Sequence, residues 1–401
     1  MLKKIYAVKG WTTATAQYLT NAIKVKLRVD SKKRFVCHYC GRRGAIHSKR
    51  IINIIDSPCI NKNVIMELEV PQIHCPHCGR FHTYRPDFVH PTMGFTWRFM
   101  RRVSRLLMFA PARWIARQYS ISYSAVLMVD REILRTTQPG TCLDGIEGIL
   151  VDEKYLGASH GFVTLVLNAR TGEPLHMAPG KNAESLESFF NRLTDKQKSS
   201  IKYLGIDRAN AYRQAALKHL PGVKVCFDAF HLVSNMNDVV DKVRRAEFAH
   251  PTEGQRKRLI VWRFILLKAQ ELLSEKERMD LDELYALNQQ LTKTYILKEQ
   301  FRSIFSRLTE HEAMWQLSHW ISMAVRSGIR QVERFARGIA ERYNEVINGI
   351  RYNINSASIE SANAGIKRIQ SKCCGLFDID YLFMKLRQRY ISREEFSPQG
   401  A

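Results

Sequence analysis

Three carboxylates stand where they could share a divalent cation. Asp152 and Asp207 each follow an apolar run of strand type, residues 145–151 and 201–206, and Glu360 lies on the flank of an amphipathic helix. Exposed carboxylates at neighbouring strand ends can hold one hard cation between them, whereas a lone buried carboxylate costs several kcal/mol. The third acid then has to come from a helix crossing the sheet edge. Over residues 358–369, Ile359, Ala362, Ile366 and Ile369 share an apolar face, and Glu360, Asn363 and Lys367 form the polar stripe beside it. That stripe offers a carboxylate to a metal, with an amide and an ammonium alongside to meet phosphate. Taken singly, each acid reads as a strand-end cap or a solvated side chain. The three together, in fitting topological places, point to metal-dependent chemistry.

A second constellation is made of sulfur. Cys37-His-Tyr-Cys40 and Cys75-Pro-His-Cys78 are matched C-x-x-C pairs, each followed by glycine (Gly41, Gly79), with 34 residues between Cys40 and Cys75. Two thiolates on a tight turn supply half a tetrahedron, and the glycine lets backbone amides turn toward the sulfurs, which is the pattern of a structural zinc ribbon. A redox C-x-x-C normally occurs once, beside a βαβ unit. His38, His47, His74 and His77 lie close by, but four thiolates already complete a site, so the histidines read as surface or phosphate-facing. Cys59, Cys142, Cys226, Cys373 and Cys374 have no such pairing and read as buried or incidental.

The elements that must position these groups can be read from periodicity. Strand-like runs at 51–55 and 64–70 lie between the cysteine pairs. Residues 96–108 repeat apolar positions at helical spacing, Pro111 can open a second helix, and a short turn at 120–122 leads into a third over 123–134. The order is that of a helix-turn-helix, with a plain three-helix packing module as the rival. Arg98, Arg101, Arg102, Arg113, Arg117 and Arg131 are its candidates for DNA contact. After the linker 136–140 the pattern turns α/β: strands at 145–151, 162–168 and 174–177 with a turn at 170–173, a helix capped by Asn182, a strand at 201–206 ending in Asp207, a short helix, and a strand at 223–227 ending in Asp228. Three antiparallel strands followed by helix, strand, helix and strand is the RNase H-like order, in which the first and fourth strands end side by side. Between His231 and Glu360 the chain reads as helical, with Trp262, Leu266, Leu272, Leu281, Leu284, Tyr295, Leu297, Phe301, Trp315, Trp320 and Phe335 on apolar faces; a loop of that length is implausible, so it reads as a helical insertion.

The expected fold class is therefore α/β: an RNase H-like core on a mixed five-stranded sheet, bearing a large α-helical insertion, behind a zinc ribbon and a helix-turn-helix. The expected boundaries are 1–90 for the ribbon, 91–140 for the helix-turn-helix and linker, 141–247 and 351–401 for the core, and 248–350 for the insertion. Charge points to the partner. Of 62 Lys and Arg, 24 fall in residues 1–140, against 7 of 38 Asp and Glu. A basic N-terminal third implies a polyanion, and without an amphipathic basic helix or lipidation signal nucleic acid is favoured over membrane. No apolar run reaches the roughly 18 residues of a membrane span. The expected location is cytoplasmic, at the nucleoid, and without a P-loop no ATP dependence is expected.

The chain resembles the transposases of the ISL3 insertion-sequence family along nearly its whole length. The resemblance rests on Val151-Asp152-Glu153, Gly205-Ile206-Asp207-Arg208-Ala209-Asn210-Ala211-Tyr212, Phe227-Asp228-Ala229-Phe230-His231, Leu297-Lys298-Glu299, and Glu360-Ser361-Ala362-Asn363 continuing to Lys367-Arg368. It implies that the family's DDE acids fall on Asp152, Asp207 and Glu360, and its D-x-F-H element on the accessory pair Asp228 and His231. Two departures stand out: residues 356–359 replace the usual Asn-Gly before the glutamate, and the aromatic-glycine element falls on residues 373–377. The mechanism that follows uses two Mg²⁺ ions, with Mn²⁺ able to replace them, to cut and join DNA at terminal inverted repeats and a target. A homodimer or higher assembly is expected by analogy with the family. A DNA-binding regulator with an inactive core and a structure-selective nuclease are the alternatives.

Overall fold

The computed structural model describes residues 10–59, 61–84, 86–158, 160–207, 210–250, 253–306, 309–354, 357–373 and 378–390, without the side chains of 254–257. The chain divides into two compact units, Met1–Pro139 with Arg368–Leu376 and Ile391–Ala401, and Gly140–Lys367 with Phe377–Tyr390.

In the first unit, β1 (Trp11–Tyr18), β2 (Ala22–Val29), β3 (Phe35–Val36), β4 (Arg43–Cys59) and β5 (Lys62–His74) form a sheet in the order β1-β2-β5-β4-β3, with β6 (Phe81–Thr83) also on β5. The expected runs 51–55 and 64–70 are portions of the much longer β4 and β5. β1 and β2 go beyond the sequence expectation, although the alternation carries them: Ile23, Val25 and Leu27 are buried while Lys24 and Lys26 between them pair with Glu67 of β5. Their apolar face closes a core with Trp11, Ile54, Val64, Met66, Leu68, Val70 and Val89. Three helices follow, α1 (Trp97–Leu107), α2 (Ala112–Tyr119) and α3 (Tyr123–Thr137). Thr96 and Ser122 cap α1 and α3 by accepting the Phe99 and Ala125 amides at 3.2 and 3.1 Å. Between α2 and α3, Ser120 takes the left-handed conformation (φ 52°) that closes the turn.

The second unit is built on β7 (Gly148–Tyr155), β8 (Phe162–Asn168), β9 (Pro174–Pro179), β10 (Tyr203–Ile206) and β11 (Lys224–Phe227), in the order β11-β10-β7-β8-β9. β7, β8 and β9 are antiparallel neighbours, and β10 and β11 run parallel to β7. Helices α4 (Ala183–Phe190), α5 (Asp195–Ser200), α6 (Asn210–His219) and α7 (Ala229–Glu247) connect or follow the strands, and Asn182 caps α4 as its sequence predicts. One expectation is corrected: β7 does not end at Asp152. It runs on to Tyr155 because the hairpin with β8 continues past the point where β10 stops, and Asp152 sits opposite Leu165.

The helical stretch comprises α8 (Glu253–Leu267), a 3₁₀ turn (Gln270–Leu272), α9 (Glu275–Leu287), α10 (Gln289–Ser303), α11 (Glu310–Val325), α12 (Arg330–Ala340) and α13 (Tyr343–Arg351). Its buried side chains, among them Trp262, Tyr295, Phe301, Trp320 and Ile339, share one hydrophobic core with Ile149, Val166, Leu186 and Leu204 around the sheet. Leu272 and Trp315 depart from the expected apolar faces: both are 65% exposed, Leu272 on the 3₁₀ turn and Trp315 stacked on His319 one turn along α11. α13 lies directly on the last strand, since a Cβ at Gly349 would come within 2.1 Å of the Phe227 carbonyl oxygen. α14 (Ala357–Lys372) and α15 (Ile379–Arg387) are the last helices among the described residues. Among the described residues no helix is long and apolar enough to cross a membrane.

Candidate functional site

Strand register sets the acids in a row. Val151 of β7 pairs in parallel with Ile206 of β10, and Ile206 with Phe227 of β11. The next residues are Asp152, Asp207 and Asp228, so three aspartates follow three neighbouring strand positions at one edge of the sheet. Gly205 makes the close strand packing possible, because a Cβ there would meet Leu150 Cδ2 at 2.5 Å. Asp152 is half-buried and Asp207 exposed, so neither pays the full cost of desolvation.

α14 supplies the rest. Ile359, Ala362, Ile366 and Ile369 are all buried, which leaves Glu360 and Lys367 exposed and Asn363 half-buried on the adjacent stripe. Asn363 Nδ2 donates to Asp152 Oδ2 at 2.9 Å, a contact spanning 211 residues of sequence that brings the second turn of α14 to the strand row. Asp228 is 3% exposed and caps α7, its Oδ1 accepting the Phe230 amide at 3.0 Å, while His231 Nε2 lies 4.0 Å from its other oxygen. Capping is thus one settled role of Asp228.

Sequence reasoning gave no role to Glu153 and passed over Lys181. Burial, and then the negative charges of Asp152 and Asp207, push the Glu153 carboxyl above the usual range, with Lys181 and His231 opposing. Glu153 therefore registers the negative field of the row, the environment a divalent cation offsets. Lys181 also lies over the Phe162 ring, 4.0 Å from its centre. A signal was present in the run of two acids, but which charges face them depends on the β9 end and on α7. Tyr212, part of the quoted 205–212 motif, is structural: it is 1% exposed, its hydroxyl is 2.8 Å from Thr164 Oγ1, and burial pushes its pKa to about 12. Arg208, Ala209, Ser356 and residues 374–377 lie outside the described residues.

In the first unit, Cys37, Cys40, Cys75 and Cys78 converge with all four sulfurs within 4.8 Å of one another. Cys37 and Cys78 are 3.6 Å apart, and Cys40 and Cys75 3.5 Å. Tetrahedral zinc places its sulfurs roughly 3.8 Å apart, so the set is compatible with a structural zinc ion. Gly41 and Gly79 have φ of 69° and 66°, and each donates its amide to the carbonyl of the first cysteine of its pair at 2.9 Å. The Cys78 amide, helped by that of His77 and by the Cys40 and Cys78 thiols, draws Cys75 down to about 6 against the cost of burial. Cys40 goes the other way: despite the Arg42 amide, burial and the neighbouring thiols push it up to about 11. Four adjacent thiolates need a cation to coexist. Among the nearby histidines, His74 and His47 pack on Phe81, and His77 Nδ1 lies 3.2 Å from Arg42.

The candidate DNA-contacting arginines divide. Arg98 is held by both oxygens of Asp56, a carboxylate that is fully buried and also accepts from Thr96, so its guanidinium braces α1 against β4. Arg102 donates to the Tyr119 hydroxyl at 3.1 Å. Arg113, Arg117 and Arg131 are exposed, and Arg101 is half-buried.

The comparisons with known proteins bear on this arrangement. The transposase for insertion sequence element IS1001 of Bordetella parapertussis is 25% identical over 362 residues, 89% of each chain. The transposase for insertion sequence element IS1557 of Mycobacterium tuberculosis is 24% identical over 359 residues, 82% of this chain and 80% of the relative. The family model for ISL3-type DDE transposases, described as a transposase, matches residues 149–386. That match takes in the strand row, the helices that follow it and α14, and the chain belongs to the ISL3 family of insertion-sequence transposases.

Proposed function

We propose that this transposase binds the terminal inverted repeats of its insertion sequence and catalyses metal-dependent strand cleavage and strand transfer at Asp152, Asp207 and Glu360, within an RNase H-like core. The observation that carries this reading is the parallel register that sets Asp152 beside Asp207, together with the Asn363–Asp152 hydrogen bond that brings the Glu360 helix to the same edge. In it, Asp152, Asp207 and Glu360 hold two Mg²⁺ ions, and Cys37, Cys40, Cys75 and Cys78 hold structural zinc. Bound Mg²⁺ supplies Lewis-acid stabilisation of the attacking and leaving oxygens of an in-line displacement at phosphorus. The chain's own groups do the positioning. Asn363 fixes the Asp152 carboxylate, and Lys367, two turns beyond Glu360, meets a phosphate oxygen. His231 reaches the scissile phosphate or braces Asp228. Since water or a DNA 3′-hydroxyl can serve as nucleophile, one site can nick an end and then join it, with no covalent enzyme intermediate. The exposed Arg113, Arg117 and Arg131, with Arg101 and Arg102, contact the repeat DNA from the helix-turn-helix.

The test is cleavage and joining of DNA carrying the element's own ends in Mg²⁺, wild type against Asp152→Ala, Asp207→Ala and Glu360→Ala. The expected result is cutting by wild type and at least about 1,000-fold less by each variant, with binding retained. Binding by every protein and cutting by none, under any divalent metal, would favour a DNA-binding regulator with an inactive core.

A further inference from the structure

We propose that the cleft between α7 and α12 is a track for the DNA sugar-phosphate backbone leading away from the strand row, with Arg330, Arg334, Arg337 and Lys242 as its phosphate contacts; this deepens, and rests on, the reading of the row as a DNA-processing site. The cleft encloses about 880 Å³ and lies wholly within the second unit. Arg330, Arg334 and Arg337 are exposed at i, i+4 and i+7 on one face of α12, while Val332, Phe335, Ala336 and Ile339 bury the other. Like charges at such spacing cost a helix a few tenths of a kcal/mol per pair unless a counter-charge offsets them. Among the described residues these three guanidiniums and the Lys242 ammonium have no carboxylate partner. Elsewhere in the unit, Arg213, Arg244, Arg258 and Arg302 each hold one. The row on α12 is therefore left available for an outside anion.

The opposite wall connects this row to the acids. α7 begins at its cap Asp228, and His231, Asn235, Asp238 and Lys242 follow at intervals of three or four, on one face. From His231 to Lys242 the helix climbs roughly 16 Å, the rise of about five nucleotides of one strand. The cleft also contains acids, and they are placed differently. Glu333 Oε1 accepts the Gly328 amide at 3.1 Å, which ties it to the entry of α12. Asp238 stands on the α7 wall with Asn235, where an acceptor and an amide suit base edges rather than phosphates. Glu341 lies at the far end of α12.

The test uses the full chain and a mixed-sequence DNA duplex, with affinity measured against salt. Arg330→Ala/Arg334→Ala/Arg337→Ala should lower the slope of log affinity against log salt by about 2.7, so that wild type loses about 40-fold more affinity than the variant between about 50 and about 200 mM salt. The triple lysine variant should restore most of the slope, and Arg258→Ala, which removes a paired arginine, should leave it unchanged. Equal melting temperatures exclude misfolding as the cause. Equal slopes for wild type and the alanine variant, or an equal loss in Arg258→Ala, would overturn the track. If wild type cuts at its ends while the slopes are equal, the track alone fails. If wild type binds no DNA at low salt, the track and the proposed function fail together.

Discussion

Asn363 gives Asp152 one hydrogen bond and keeps its own Oδ1 buried without a hydrogen-bond partner. An amide held this way fixes which carboxylate oxygen of Asp152 faces outward, and second-layer partners of metal ligands commonly affect metal affinity or activity 10- to 100-fold. Asn363→Ala is expected to lower the cleavage rate by about that factor and to raise the Mg²⁺ concentration for half-maximal activity, with melting and DNA binding unchanged. An unaltered Mg²⁺ dependence would reduce Asn363 to a packing residue. Its place on the polar stripe beside Glu360 was legible from helical spacing. Its partner was not, because 211 residues intervene. Arg98 teaches the converse: its type and spacing suggested phosphate, while the fold pairs it with Asp56.

At the scale of elements, β9 and α4 are joined through a histidine. His176 is 8% exposed, its Nε2 lies 2.8 Å from Ser188 Oγ, and Arg192 Nη1 lies 3.1 Å from Nδ1. A guanidinium only donates, so Nδ1 accepts and Nε2 carries the proton. Burial, and secondarily the Arg192 charge, hold the imidazole down at about 4 instead of 6.5. The unfolded chain thus takes up a proton as pH falls through 6.5, and the fold resists it until about 4. The stability this histidine contributes is complete above 6.5 and lost as pH falls toward 4, up to about 3 kcal/mol. His176→Gln should flatten the decline in urea midpoint between about pH 7 and about pH 5. An unchanged decline would place the acid sensitivity elsewhere. The strand and helix here were both readable from sequence, as was the cap Asn182, because alternation and capping are set by neighbours within a few residues.

Across the whole molecule, each unit has its own hydrophobic core, and the four cysteines lie in the first. Cys40→Ser/Cys78→Ser is expected to reduce bound zinc from about one ion per chain to near none and to lower the melting of the first unit. DNA binding should fall with it, while the second unit keeps its own transition in calorimetry. Full zinc content in that variant, with an unchanged melting profile, would remove the metal from the account of the first unit. Residues 248–350 read as an insertion because a loop of that length is implausible within a compact domain, and they fall in the same unit as the sheet. Burial places Trp262, Phe301 and Trp320 in one core with the sheet.

By itself the sequence determined the local pieces: the cysteine pairs with their glycines, the three helices that follow them, the apolar strands leading to Asp152, Asp207 and Asp228, and the stripe carrying Glu360, Asn363 and Lys367. These rest on periodicity and on contacts within a turn or a pleat, which a single segment contains. Tertiary structure alone decided that β7 continues past Asp152, that Asp152, Asp207 and Asp228 stand in one register, that Asn363 reaches Asp152, and that unpaired arginines of α12 face the α7 wall. Strand order and helix docking follow from which apolar faces bury together, and that choice is made between segments far apart in the chain.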